Sequence, residues 1–164
     1  MTSLRLLLAG LLGACCLVFL TPSASHACSC VMANTDDYVD WADAIFTGTL
    51  VEVTPPPERD VESSTDPVTY AFDVDTVQKG DVGPTAEVST ARWGASCGLE
   101  GLEVGTSYVV FATGAPGAFH ASLCGGTGLA GPGRVAAVDR ALGPGRAPTT
   151  ISLQPGLGVP RDWW

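Results

Sequence analysis

Cys28-Ser29-Cys30 constrains this chain more than any other stretch, because two cysteines one residue apart follow directly on a segment that reads as a secretory signal peptide. Met1 to Arg5 carry one positive charge, Leu6 to Leu20 form an apolar run, and Thr21 to Ala27 (TPSASHA) breaks that run at Pro22. Ser25 and Ala27 are the small residues wanted at the −3 and −1 positions of signal peptidase recognition. A cut after Ala27 makes Cys28 the first residue of the mature protein, with α-amine, carbonyl and thiol on one residue. A lipoprotein-type box, Leu12-Gly13-Ala14-Cys15, competes by letters, but it cuts inside the apolar run and leaves Cys16 to Leu20 outside.

Cys15 and Cys16 leave with the signal, so four of the six cysteines remain: Cys28, Cys30, Cys97 and Cys124. An even set in an oxidising compartment reads as two disulfides, and three pairings are open at this point. Zinc is the competing use of four cysteines, yet one C-x-C with two distant single partners lacks the paired C-x-x-C knuckles of a zinc site. Two disulfides would tie the new N-terminus to two remote parts of the chain and hold it rigid. The seven basic and 17 acidic residues left after cleavage set the mature net charge at −10. A surface of that sign repels phosphate backbones and anionic headgroups, which disfavours nucleic acid as a partner. Apart from the signal there is no apolar run long enough for a membrane span.

The pattern after Cys30 is that of one small β domain. Val31 to Asp43 is polar and acidic, with Tyr38, Val39, Trp41 and Ala42 as a weak helical stripe. Ala44 to Val53 is a strand with Gly48 as a bulge or bend. Pro55 to Pro67 excludes helix and central strand and is expected as a long exposed loop. Val68 to Gln78 alternates Tyr70, Phe72 and Val74 against Ala71, Asp73 and Asp75, so one face is buried and the other wet. Thr85 to Thr90 is a short third strand, and a connection from Trp93 to Gly101 carries Cys97. Ser107 to Thr113 is the most apolar strand, and Ala118 to Cys124 is expected as the fifth. Five short strands with a bulge favour a small closed or partly open barrel over a sandwich. Arg134 to Leu142 is the one helix candidate in the final 34 residues, whose six glycines and five prolines exclude a second packed domain. The division expected is therefore 1–27 signal peptide, 28–143 domain and 144–164 flexible tail.

The order C-S-C, five strands, two later cysteines and a short helix resembles the inhibitory domain of the tissue inhibitors of metalloproteinases. The likeness runs through Cys28-Ser29-Cys30-Val31, the strand entering a Lys-Gly turn at Tyr70 to Gly80, Cys97-Gly98, Val104 to Val109 and His120 to Cys124. It covers Cys28 to about Gly143. The resemblance implies an all-β, five-stranded OB-type barrel of the netrin-like kind with a short helix or two, stapled at its N-terminus. It also implies pairing of Cys28 with Cys97 and of Cys30 with Cys124. The family's third inhibitory-domain disulfide and its second domain have no counterpart here, and the Pro55 to Pro67 loop has its own composition.

In that family the amine and carbonyl oxygen of the first cysteine chelate the zinc of the target protease. By resemblance, Cys28 is then the zinc-chelating residue, a metal ligand only in complex with a protease, and Ser29 points into the specificity pocket. A zinc metalloprotease is the partner implied, and the protein is expected as a secreted monomer with no cofactor. The plainer reading is a netrin-like interaction module in which Cys28 and Cys30 merely fasten a terminus; an OB-fold binder of oligosaccharides or oligonucleotides is a third. No Ser-His-Asp or Cys-His set assembles around Ser122 or His120, so no enzymatic activity is expected. His120 is expected as a packed or edge residue, Trp41 and Trp93 as core or edge aromatics, and Trp163-Trp164 as an exposed apolar end.

Overall fold

β1 (Ala44–Thr54) and β2 (Pro67–Lys79) form the long antiparallel ribbon on which the rest is laid. The ribbon bends because its register slips at three points, one of them between Thr47 and Gly48. A Cβ at Gly48 would stand 2.6 Å from the Asp73 carbonyl oxygen, so the close approach of the strands there requires glycine. The computed structural model describes residues 28–149. The expected signal peptide (1–27) and Trp163-Trp164 lie outside the described residues.

β3 (Thr85–Ala91) pairs with β2, and β4 (Ser107–Ala112) pairs with the other edge of β1. Two further strands are two residues each: β5 (Phe119–His120), parallel to β3, and β6 (Gly128–Leu129), antiparallel to β4. The sheet is open, six strands in the order β5-β3-β2-β1-β4-β6, where five were expected. The expected strand Ala118 to Cys124 shrinks to Phe119–His120, because the chain turns at Ser122 to Gly125 to deliver Cys124. Beyond the named strands, Thr113 and His120 exchange both backbone hydrogen bonds, at 2.8 and 2.9 Å.

Alternation along β2 buries Val68, Tyr70, Phe72 and Val74 on one face and leaves Asp73 and Asp75 wet. That face packs with Phe46, Leu50, Val88, Val110 and Phe119 into the larger core. β4 is buried from Tyr108 through Ala112, so alternation fails there. The reason is a second core on the opposite face, where Ile45, Val109 and Phe111 meet Val39 and Val138 of the two helices and Ala42 just past the first of them. Fully burying a side chain of this kind is worth about 1.5–3 kcal/mol, so each face contributes to stability.

α1 (Thr35–Trp41) is the short helix of the expected stripe, and Asn34 starts it. The Asn34 side chain accepts from the Asp36 and Asp37 amides at 2.9 and 3.2 Å, and the Asp37 carboxylate accepts from the Asn34 amide at 2.9 Å. At the other end Lys79 reaches over from β2 and donates to the Val39 carbonyl at 2.8 Å, placing a cation where the helix dipole is negative. α2 (Pro132–Leu142) opens on Pro132 and stops at Gly143. The chain after it does not leave at once. Arg146 exchanges two backbone bonds of 2.8 Å with Val77, and the Thr149 amide donates to the Val82 carbonyl at 2.9 Å. Residues 145–149 therefore cover the part of β2 that β3 leaves unpaired, and the stretch from 144, expected as a tail, begins as a strap.

Candidate N-terminal disulfide site

Cys97 is placed by a tight loop between β3 and β4. Gly94–Ser96 makes one 3₁₀ turn, the Cys97 amide donates to the Gly94 carbonyl at 2.9 Å, and Cys97 takes a left-handed conformation with φ 62°. Among the described residues it is the one non-glycine with positive φ, a geometry costing about 1 kcal/mol that the surrounding bonds must hold. They do so through the next three residues. A Cβ at Gly98 would stand 1.9 Å from the Ala91 carbonyl oxygen, so the loop can close onto β3 only with glycine there. Leu99, also buried, donates its amide to the Thr90 hydroxyl at 2.9 Å and accepts from the Tyr70 hydroxyl at 3.0 Å. Glu100 reaches back to accept from the Gly94 amide. Tyr70 is pushed above its ordinary pKa, first by burial and then by the neighbouring Glu100 and Tyr108.

Cys124 sits in the turn after β5, and that turn is bonded to the Cys97 loop, since the Leu123 amide donates to the Cys97 carbonyl at 2.8 Å. Disulfides join Cys28 to Cys97 and Cys30 to Cys124, with Cα–Cα separations of 5.3 and 5.2 Å. This is the pairing the resemblance implies. The two bridges touch, with Cys28 Sγ 3.7 Å from Cys124 Sγ. Cys28 is half-buried and Ser29 exposed between the two anchored cysteines. Among the described residues, no backbone hydrogen bond ties Cys28 to Ala33 to the sheet, so the crosslinks are what hold the N-terminal stretch.

Around this clamp the surface is more apolar than an isolated staple requires. Val31 and Met32 are 78% and 99% exposed, and Leu123 is half-exposed beside Cys124. Val31 and Leu123 fall in stretches that carry the resemblance, but none of the three is expected there as contact surface; for Val31 and Met32 the available signal is an apolar pair directly after C-S-C, in a stretch too polar for a core element. The Pro55 to Pro67 loop returns to the same side: the Ser96 hydroxyl donates to that of Ser64 at 2.7 Å, and Arg92 pairs with Glu62 at 3.0 Å. A groove lined by Thr65, Ser89, Ser96, Cys97, His120 and Ser122 runs between loop and turn. On the far side of His120, Tyr38, Trp41 and Phe111 line a smaller pocket of about 140 Å³. His120 is exposed at the sheet edge. Trp41 and Trp93 are half-exposed rather than core, the latter under the Arg92 guanidinium at 5.2 Å.

Among the described residues, Cys28, Cys97 and Cys124 form the one group of His, Cys, Asp or Glu close enough to share an ion. Bonded as disulfides, these sulfurs carry no thiolate, so in this state they are a clamp. No helix of the described residues is long and apolar enough to cross a membrane, and two disulfides suit an oxidising compartment. No protein-family model matches the chain, and no curated protein matches it.

Proposed function

We propose that this chain is a secreted inhibitor of zinc metalloproteases of the tissue-inhibitor kind, built on a netrin-like OB-type barrel, with Cys28 as its ligand to the protease's zinc. The clamp carries the reading: Ser29 is exposed between two cysteines, each crosslinked to one of two loops that are hydrogen-bonded to each other. A catalytic zinc keeps one position for water. A free α-amine and the adjacent carbonyl oxygen of Cys28 would fill it as a five-membered chelate, and anchoring on both sides of Ser29 removes most of the ordering cost. The small Ser29 side chain enters the specificity pocket, and Val31 and Met32 supply apolar contact beyond it. The Thr113–His120 bridge supports the barrel, for it links the end of β4 to β5, the strand at the far edge of the sheet.

The test has two steps. Intact mass of the exported protein reports whether Cys28 is its first residue, which chelation requires. One alanine placed before Cys28, or acetylation of its amine, then removes the donor while sparing both disulfides. Such a protein is expected to keep its circular dichroism and thermal midpoint and to lose inhibition at least about a hundredfold, on the order of 3 kcal/mol. A free α-amine titrates near about 7.7–8.0, so inhibition should also weaken as the pH falls and a proton competes with zinc. Undiminished inhibition by the extended protein would mean that the amine is not the ligand, and the interaction-module reading would take its place.

A further inference from the structure

The contact between the two disulfides has a length that matters to a metal. A tetrahedral zinc bound by thiolates at about 2.3 Å has sulfur–sulfur edges of about 3.8 Å. Cys28 Sγ and Cys124 Sγ already stand 3.7 Å apart, and the sulfurs of Cys28, Cys97 and Cys124 all lie within 4.8 Å of one another. Cys30 is not in that group; its sulfur is bonded to that of Cys124 and would have to swing in to supply the fourth ligand. The crosslinked pairs have Cα–Cα separations of 5.3 and 5.2 Å, so side-chain rotation is enough to part each bonded pair to the edge of that tetrahedron.

We propose that reduction converts the crossed disulfides into a four-thiolate site for one thiophilic divalent ion of the zinc class. Two molecules of a dithiol, or of a C-x-x-C oxidoreductase, supply four electrons and four protons. Each becomes a disulfide, and Cys28, Cys30, Cys97 and Cys124 become thiols. Binding the ion releases the thiol protons to solvent and leaves four sulfur–metal bonds. The site does not have to form from a disordered chain. Cys97 is held in its left-handed turn by bonds to Gly94 and through Leu99, and the Leu123–Cys97 hydrogen bond joins its loop to that of Cys124. Two ligands are thus positioned without either disulfide, while Cys28 and Cys30 arrive together on one tripeptide. The ion would fasten the N-terminal stretch when the crosslinks are open, which no backbone bond among the described residues does.

The protein is reduced with a phosphine, freed of reductant under argon and titrated with Zn²⁺ alone against a chromophoric chelator, with native mass spectrometry for stoichiometry. One ion per reduced chain is expected, and none for the oxidised protein over the same range. Cys28→Ser, Cys97→Ser and Cys124→Ser should each weaken binding by at least about a hundredfold, since a lost ligand exceeds the effect of a lost outer-sphere partner. The reduced chain in urea, where the ligands are not held together, should bind at least about tenfold more weakly than the folded one. Equal binding by the oxidised protein, an unaffected Cys97→Ser variant, a stoichiometry other than one, or equal affinity in urea would each overturn the proposal.

Discussion

Replacing all four cysteines, Cys28, Cys30, Cys97 and Cys124, by serine tests how the N-terminal stretch is held. The crosslinks close separations of 69 and 94 residues. In the chain-entropy account the first closure stabilises by about 4.5 kcal/mol. The second then closes only the ring through 28–30 and 97–124, about 30 residues, for about 3.5 kcal/mol more. The unfolded-state effect is therefore about 8 kcal/mol. Against it stands the folded state, where Cys28 to Ala33 makes no backbone hydrogen bond to the sheet among the described residues. Freeing those six residues returns about 1–2 kcal/mol each, or about 6–12 kcal/mol. The two effects largely offset, and the four-serine variant should lie between about 2 kcal/mol less stable and about 4 kcal/mol more stable than the oxidised protein in urea unfolding at pH 7. Limited proteolysis should clip its N-terminus at once and leave the strands intact. A loss near the full 8 kcal/mol would refute the reasoning, because it would mean that residues 28–33 are held by packing that the crosslinks only supplement.

Three further outcomes follow from single side chains. Tyr70→Phe should remove an alkaline destabilisation: the folded hydroxyl titrates above its ordinary value of 10.0, so its contribution is full below pH 10 and is lost as the pH rises through the folded pKa. Urea midpoints of wild type and variant between pH 8 and 11 check this, and parallel curves would remove Tyr70 as the cause. Thr90→Val leaves the buried Leu99 amide without its 2.9 Å acceptor and should cost about 1–3 kcal/mol with the strands retained; an unchanged urea midpoint would show that the bond carries no net stability. Shortening the Pro55 to Pro67 loop on the β1 side of Pro67, which itself opens β2, removes surface contacts to Arg92 and Ser96, and calorimetry should find stability within about 1 kcal/mol of wild type, while the choice of protease changes.

The strands were legible where one face alone is buried. Tyr70, Phe72 and Val74 alternate with polar residues, and β2 follows that pattern closely. The pattern was uninformative where both faces are covered: β4 reads simply as apolar, and nothing in Ser107 to Ala112 says that Val109 and Phe111 meet α1 and α2 while Tyr108 and Val110 meet the opposite core. Length was misjudged where pairing, not propensity, sets it. Ala118 to Cys124 has the composition of a strand, but its ladder with β3 holds Phe119 and His120 and ends at the bond from the Ala121 amide to the Ser89 carbonyl, 3.0 Å. The strap at 145–149 was hidden for the same reason, since glycine and proline describe a segment with no structure of its own and give no hint that an unpaired edge of β2 receives it.

The site divides along a different line. Cysteine count and compartment point to two crosslinks, but the features that aim the clamp come from residues to which the sequence reading assigns no such role. Gly98 is one glycine among twenty, yet it alone lets the Cys97 loop descend onto Ala91. Cys97 must then turn left-handed, and the Leu123 amide closes the gap to the second cysteine loop. A chain with the same four cysteines and alanine at 98 would keep every letter of the cysteine pattern. With a Cβ meeting the Ala91 carbonyl oxygen, its Cys97 loop could not close onto β3 as it does here, where the bridges lie in contact at 3.7 Å. Spacing in the sequence says which residues are crosslinked only by analogy. The distance between the crosslinks, on which both the rigid presentation of Ser29 and a thiolate site depend, is set by the backbone around Gly98 and Leu99.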